Sequence, residues 1–249
     1  MKRRPLLAGL LLLLSTSFSL ADTPPNYSIT PVPREGGWMK QHESFNAISK
    51  KGEAQLVFLG DSITAGWSGR GKEVWAKNWA PLKAANFGIG GDRTEHVLWR
   101  LDHGNFDGLK PKLIVLMIGT NNTGHEGRPQ KELNGANYHS TPQQTGEGVK
   151  AILDRIKAKC PESKVLLLAI FPRGADEKNP ARKTNEEVNN IIKGYADDKI
   201  VYFMDIGPKF LGSDGTLSKD IMPDLLHPNE KGYEIWTDAI KDKVNELMK

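Results

Sequence analysis

Four short stretches carry residue types that could do chemistry together. The first is Gly60-Asp61-Ser62, which follows the apolar run from Leu56 to Leu59. A serine at the end of a buried strand, poised to open a helix, is a candidate nucleophile, and its own N–H, an orphan donor at a helix start, could meet a developing oxyanion. An aspartate and serine after a strand are also an ordinary helix cap. The second is Gly88-Ile-Gly90-Gly91-Asp92, where the glycine pair lets backbone amides approach a ligand closely. An oxyanion donor, a phosphate cradle and a plain turn are all open, although Arg93 stands where a phosphate motif would want its third glycine. The third, Gly119-Thr120-Asn121-Asn122, ends the apolar run from Leu113 to Ile118. Asparagine there is turn chemistry or a neutral hydrogen-bond donor. The last is Asp224-Leu-Leu-His227, three apart just before a helix that Asn229 can cap. His227 is either a satisfied structural residue or a general base with a carboxylate beside it.

These stretches need elements to hold them. Apolar runs at 56–59, 84–88, 112–118, 164–171 and 200–204 predict five strands. Helical spacing predicts helices from Trp38 to Lys51, at 73–82, after a capping box of Asp92 and Glu95, at 146–159, at 184–196 and after Asn229. Strands alternating with helices predict a parallel sheet covered on both faces. Position 64 is Thr where the Gly-x-Ser-x-Gly elbow needs glycine, so the α/β-hydrolase fold is not expected. In open parallel sheets ligands bind beyond the carboxyl ends of the strands, and Ser62, Gly91 and Asn121 each follow a different predicted strand. One fold therefore gathers them on one edge.

The chain has 249 residues, 38% hydrophobic and 26% charged, which suits one globular domain. Residues 1–21 read as a secretory signal: Lys2, Arg3 and Arg4, then Leu6 to Leu14, then Ser19-Leu20-Ala21 as a small-residue cleavage site. Three of the 34 basic residues lie in that segment, leaving 31 against 30 acidic ones, a net charge of +1. That balance gives no basis for binding nucleic acid, and no lasting membrane anchor is expected once the signal is removed. Cys160 is the lone cysteine and reads as a buried small apolar residue. Residues 22–37, with Pro24, Pro25, Pro31 and Pro33, predict an extended N-terminal arm. Between Thr123 and Pro142 lies a long polar insertion, a candidate substrate-side loop or lid. Its His125, Glu126 and His139 match no helical spacing of metal ligands, so no metal is expected.

The four blocks, in order, resemble the SGNH (GDSL-type) hydrolases. Asn86-Phe-Gly-Ile-Gly-Gly-Asp92 and His96-Val-Leu-Trp-Arg-Leu101 are most like the branch that holds the catalytic subunits of platelet-activating-factor acetylhydrolase. The resemblance runs from about Trp38 to the C-terminus, a single domain over 38–249. It implies a flavodoxin-like three-layer α/β sandwich with strand order 2-1-3-4-5, and a site without metal or other cofactor. It also implies roles: Ser62 as nucleophile, His227 as base, Asp224 as the group that orients it, and an oxyanion hole from Ser62, Gly91 and Asn121. Ile63, Thr120 and Leu226 would line a small acyl pocket favouring acetyl. The expectation is a secreted or periplasmic serine esterase acting on a small-molecule or glycan ester, with deacetylation of sugars or polysaccharides as the activity. An acyltransferase with the same triad and a non-catalytic carbohydrate-binding protein on the same fold are the alternatives. No oligomeric state is implied.

Overall fold

The structure is a computed structural model and describes residues 25–249. The expected signal segment lies outside the described residues. Five strands, β1 (Leu56–Gly60), β2 (Ala84–Gly88), β3 (Leu113–Met117), β4 (Lys164–Leu168) and β5 (Val201–Met204), form one all-parallel sheet in the order β2-β1-β3-β4-β5. This is the expected topology. The central strands β1 and β3 are buried at every residue, as a sheet covered on both faces requires.

The side-chain period of two divides the core. Val57, Leu59, Ile114, Leu116, Val165 and Leu167 face α1 (Gly37–Lys51), α4 (Thr94–Asp102), α6 (Pro142–Lys159) and α7 (Pro180–Ile192). Leu56, Phe58, Leu113, Val115, Leu166 and Leu168 face the other layer, built from α2 (Ser62–Ala65), α3 (Lys72–Asn78) and α8 (Glu230–Leu247). Phe58 is the hub of that second layer, with Trp67, Trp75, Trp79 and Trp236 at centroid distances of 5.2–6.2 Å. Burying a side chain of this size contributes about 3 kcal/mol. Cys160 is buried where α6 ends, as expected.

Three helix starts differ from the sequence reading. α6 begins at Pro142 rather than Gly146, because Thr141 and Gln144 form a reciprocal capping box with Pro142 in the first turn. Asn179 likewise caps α7 at Pro180, one turn before Thr184. α4 is not capped by Asp92 and Glu95: its cap residue is Arg93, whose N–H is received by His96 Nδ1 at 3.0 Å. Asp92 and Glu95 are instead fully buried and engaged by arginines.

The arm is not simply extended either. Tyr27–Ile29 forms a 3-10 turn capped by Asn26. The buried Ser28 hydroxyl lies 2.6 Å from Ser140 Oγ, and Ser28 C=O receives the Thr94 hydroxyl at 2.8 Å. The arm is thus bonded both to α4 and to the long insertion.

Candidate active site

Gly60 closes β1 at a point with no room for a side chain. A Cβ there would meet Met117 C=O at 2.3 Å, so glycine is demanded by close strand packing rather than by a positive φ. Asp61 then caps α2, its Oδ1 receiving Ile63 N–H at 2.9 Å. Its other oxygen is buried without a partner, and burial pushes the carboxyl up to about 7. The aspartate caps as an ordinary helix cap would, and the serine, first in α2, takes no part in the cap.

Ser62 Oγ lies 2.8 Å from His227 Nε2, and His227 Nδ1 lies 2.7 Å from Asp224 Oδ2. With Nδ1–H donated to the carboxylate, Nε2 carries the lone pair that faces the serine hydroxyl. The other carboxylate oxygen, Asp224 Oδ1, receives the backbone N–H of His227 at 2.7 Å and of Leu226 at 3.1 Å. Burial pulls the Asp224 carboxyl upward, but these N–H groups and the imidazole outweigh it and hold it below the usual range. Between the two residues Leu225 sits in the left-handed region with φ 58°, at a cost of roughly 1–3 kcal/mol. That conformation is fixed from outside, since Leu225 C=O receives Gly174 N–H at 2.9 Å. The buried Arg182 in turn bonds the carbonyls of Arg173, Gly174 and Gly215.

The turn after β2 runs beside the serine: a Cβ at Gly90 would stand 3.9 Å from the Cβ of Ser62. The N–H groups of Ser62 and Gly91 have no partner among the described residues. After β3, Gly119 adopts φ 130°, a conformation open only to glycine, and starts α5 (Thr120–Gly124). Asn121, second in α5, donates one amide proton to Asp92 C=O at 2.9 Å. This fixes the amide and leaves its second proton available. Two unpaired backbone donors and a fixed side-chain amide are thus gathered at the end of the sheet beside a hydrogen-bonded Ser–His–Asp chain. That arrangement can generate an alkoxide-like nucleophile and stabilise a negatively charged oxygen.

Beneath the turn lies a charge network that the sequence reading missed. Arg100, fully buried, places Nε 3.0 Å from Asp92 Oδ2, and its Nη atoms reach Phe87 C=O at 3.0 Å and Gly60 C=O at 3.4 Å. Asp92 also receives Trp38 Nε1–H at 2.6 Å. The available signal was spacing: Arg93, Val97 and Arg100 lie on one stripe of α4, so arginines there cannot all face solvent.

The insertion is anchored by Arg93, which bonds Glu95 and Glu132, His125 Nδ1 at 2.9 Å and Gln130 at 2.8 Å, with the Tyr138 ring 4.2 Å away. The segment is therefore a wall bolted to α4 rather than a loosely hinged lid. His139 pairs with Glu126 at 2.7 Å while His125 turns to Arg93, so the three do not converge as metal ligands would. Of the expected pocket residues, Ile63 and Thr120 are only 1% exposed and Leu226 is half-buried.

Residues 58–235 match the GDSL-like lipase/acylhydrolase family. The chain is 38% identical to the human platelet-activating factor acetylhydrolase IB subunit alpha1, covering 82% of this chain and 81% of that one. It is 35% identical to the rat alpha2 subunit, covering 85% of each. Among solved structures it superposes on a GDSL-like lipase from Bacteroides thetaiotaomicron with a TM-score of 0.65, at 22% identity, covering 83% of this chain and 97% of the other. An acetylxylan esterase from Geobacillus stearothermophilus gives a TM-score of 0.59 at 20% identity, covering 80% and 96%. These last two likenesses establish the fold alone. The chain belongs to the GDSL-like lipase/acylhydrolase family and is a carboxylic ester hydrolase.

Proposed function

We propose that this protein removes short acyl groups, acetyl above all, from the hydroxyls of sugars or polysaccharides, after export directed by its first 21 residues. The observation that carries the reading is the unbroken chain from Ser62 Oγ through His227 to Asp224, at 2.8 and 2.7 Å, beside unpaired N–H groups. Ser62 Oγ attacks the ester carbonyl while His227 Nε2 takes its proton. Asp224 holds the imidazole in the required tautomer and offsets the charge of the imidazolium. The carbonyl oxygen, now negative, is received by the N–H groups of Ser62 and Gly91 and the free amide proton of Asn121, each worth about 3 kcal/mol in the transition state. Collapse of the tetrahedral species breaks the C–O bond to the alcohol, which leaves with the proton from His227. Water, deprotonated by the same histidine, then attacks the acyl-serine, and a second collapse frees the acid and restores Ser62.

Preference for a short acyl group is the part of the reading that the family resemblance supplies, with Ile63, Thr120 and Leu226 as the residues that would line the acyl pocket. The relatives' acetylhydrolase activity and the acetylxylan esterase with the same fold agree with an acetyl group and a sugar alcohol.

The test is release of p-nitrophenol from its acetate by the chain beginning at Asp22, alongside Ser62→Ala. The expected result is turnover by the wild type and a loss of several orders of magnitude in the variant. Equal activity in both would remove Ser62 from the mechanism. Turnover of long-chain esters in preference to acetyl ones, with no acetate released from any acetylated glycan, would remove the substrate assignment.

A further inference from the structure

Five carboxylates on the site's loops are engaged, whereas Asp61 keeps one buried oxygen without a partner and Asp220 makes no ion pair among the described residues. Asp224 is held by His227, Glu35 by Lys131, Glu126 by His139, Glu132 by Arg93, and Asp92 by Arg100 and Trp38. Several guanidinium groups are not. Arg34, in the segment before α1, reaches over the glycine turn: its Nη1 donates to Gly90 C=O at 2.8 Å and would stand 3.1 Å from a Cβ on Gly91. About a third of its side chain is exposed, and its nearest acid, Asp92 at 3.7 Å, already belongs to Arg100. Arg70 is exposed, with Nη1 3.5 Å from His227 C=O. Arg128 is exposed on the loop after α5, its backbone N–H donating to His125 C=O at 3.0 Å, and Arg173 donates to Thr120 C=O at 2.8 Å. Among the described residues Arg70, Arg128 and Arg173 make no ion pair.

The field these groups create is felt within the fold. His125, one turn after Asn121, is pushed down to about 4, first by burial and then by Arg93, Arg128, His96 and Arg34. Space is available beside Arg34 as well. A cleft of about 550 Å³ separates the arm from the insertion, lined by Val32, Arg34, Lys131 and Asn134 together with Glu35 and Glu132, which are paired with Lys131 and Arg93.

Exposed arginines without carboxylates are costly to cluster unless a ligand supplies the negative charge, and their forked donors fit carboxylate, sulfate and phosphate oxygens. Ile63 and Thr120, the residues that would line the acyl side, are uncharged and buried, so the charge is assigned to the alcohol portion. We propose that the natural substrate is an acyl ester of an anionic glycan, and that Arg34, Arg70 and Arg128 determine this specificity by binding acidic groups next to the acylated hydroxyl. The inference rests on the esterase reading and names the class of alcohol it acts on.

The test compares two chromogenic esters that differ by one charge, 2-nitrophenyl acetate and 4-acetoxy-3-nitrobenzoate, each rate being divided by that ester's own hydroxide-catalysed rate. At low salt the wild type is expected to prefer the anionic ester by about tenfold in normalised kcat/KM, and the preference should shrink to about twofold in 0.5 M NaCl as the field is screened. In the double variant Arg34→Gln/Arg128→Gln the ratio should fall toward one. The ratio is the readout, so a loss common to both esters cancels. Acetylated polygalacturonate should be preferred over acetylated xylan in the same direction. Turnover of both esters with a wild-type ratio at or below one overturns the inference while leaving the esterase reading intact. A ratio unchanged in the double variant overturns the assignment of these arginines, and no turnover of either ester overturns the esterase reading and this inference with it.

Discussion

Replacing Asp224 by asparagine is expected to harm the enzyme more than replacing it by alanine. In the folded protein Asp224 Oδ1 receives two backbone N–H groups, from His227 at 2.7 Å and Leu226 at 3.1 Å, while Oδ2 faces His227 Nδ1. An asparagine has one oxygen, and the two N–H groups claim it. Its amide nitrogen must then donate to Nδ1, which drives the imidazole proton to Nε2, where it faces Ser62 and cannot act as a base. Turning the amide over would break two hydrogen bonds of about 1 kcal/mol each and set donors against donors, roughly 3 kcal/mol in all. Loss of the carboxylate charge adds to this in both variants. A charge pair about 4 Å apart is worth 4 kcal/mol near a protein surface and 1 kcal/mol in water, so a carboxylate that is 48% exposed contributes about 2 kcal/mol.

The asparagine variant therefore loses about 5 kcal/mol, between three and four orders of magnitude in kcat. Alanine loses the charge and one orienting hydrogen bond, about 3 kcal/mol, or two orders. Initial rates on p-nitrophenyl acetate would show alanine faster by ten- to a hundredfold. Added formate should partly restore the alanine variant, whose site opens to solvent, and leave the asparagine variant unchanged. An asparagine variant as active as the alanine one would refute the claim that the backbone donors fix the tautomer.

Asn121→Ala removes one proposed oxyanion donor and should lower kcat about a hundredfold with little change in KM, measured on the same ester. Asp61 carries a carboxyl raised to about 7 by burial, so the fold holds its proton more tightly than the unfolded chain, and stability falls as pH rises from about 4 through 7. Asp61→Asn keeps the acceptor for Ile63 N–H and has no charge to bury, so urea unfolding should show the variant gaining about 3 kcal/mol over wild type between pH 4.5 and pH 8, whereas parallel pH curves would contradict it. Arg100→Met strips Asp92 of its buried cation and should cost about 3–5 kcal/mol of unfolding free energy, also read by urea titration.

The strands and the four candidate-site blocks were legible in the sequence because each is a local signal. A buried parallel strand is a continuous apolar run, and a glycine, serine or asparagine directly after it is placed by chain direction alone. Helix starts were legible only where apolar spacing began at once. In α6 and α7 the first turns are polar, Pro142-Gln-Gln-Thr145 and Pro180-Ala-Arg-Lys183, and carry no period. Their caps, Thr141 and Asn179, were there to be found. Arg93 and Arg100 were hidden for a different reason: a charged side chain reads as solvent-facing unless its partner is known. Arg93 finds Glu132, 39 positions away in the insertion, while Arg100 bonds Gly60 C=O, 40 positions back. Such pairings exist only once the sheet has formed.

The same network explains how the proposed oxyanion site can be held open at a sheet edge where glycine closes β1 and glycines lie in the turns after β2 and β3. Gly60, Gly91 and Gly119 bring no side chains with which to fix their own turns. The rigidity comes from below, through Arg100, which joins the carbonyl ends of β1 and β2 to Asp92. Asp92 passes it on through its own C=O to the amide of Asn121, at the end of β3. One buried guanidinium thus links the turns that carry all three proposed donors. An apolar replacement of the whole Asp92–Arg100 pair could match its contribution to stability, since burying two charges costs nearly what their attraction returns. It could not match the directed hydrogen bonds to Phe87 and Gly60. Selection for the relative placement of Ser62, Gly91 and Asn121, rather than for stability, is therefore the physical reason to keep ions at this depth, and a double variant with both charges removed should lose kcat even where it unfolds no more easily than the wild type.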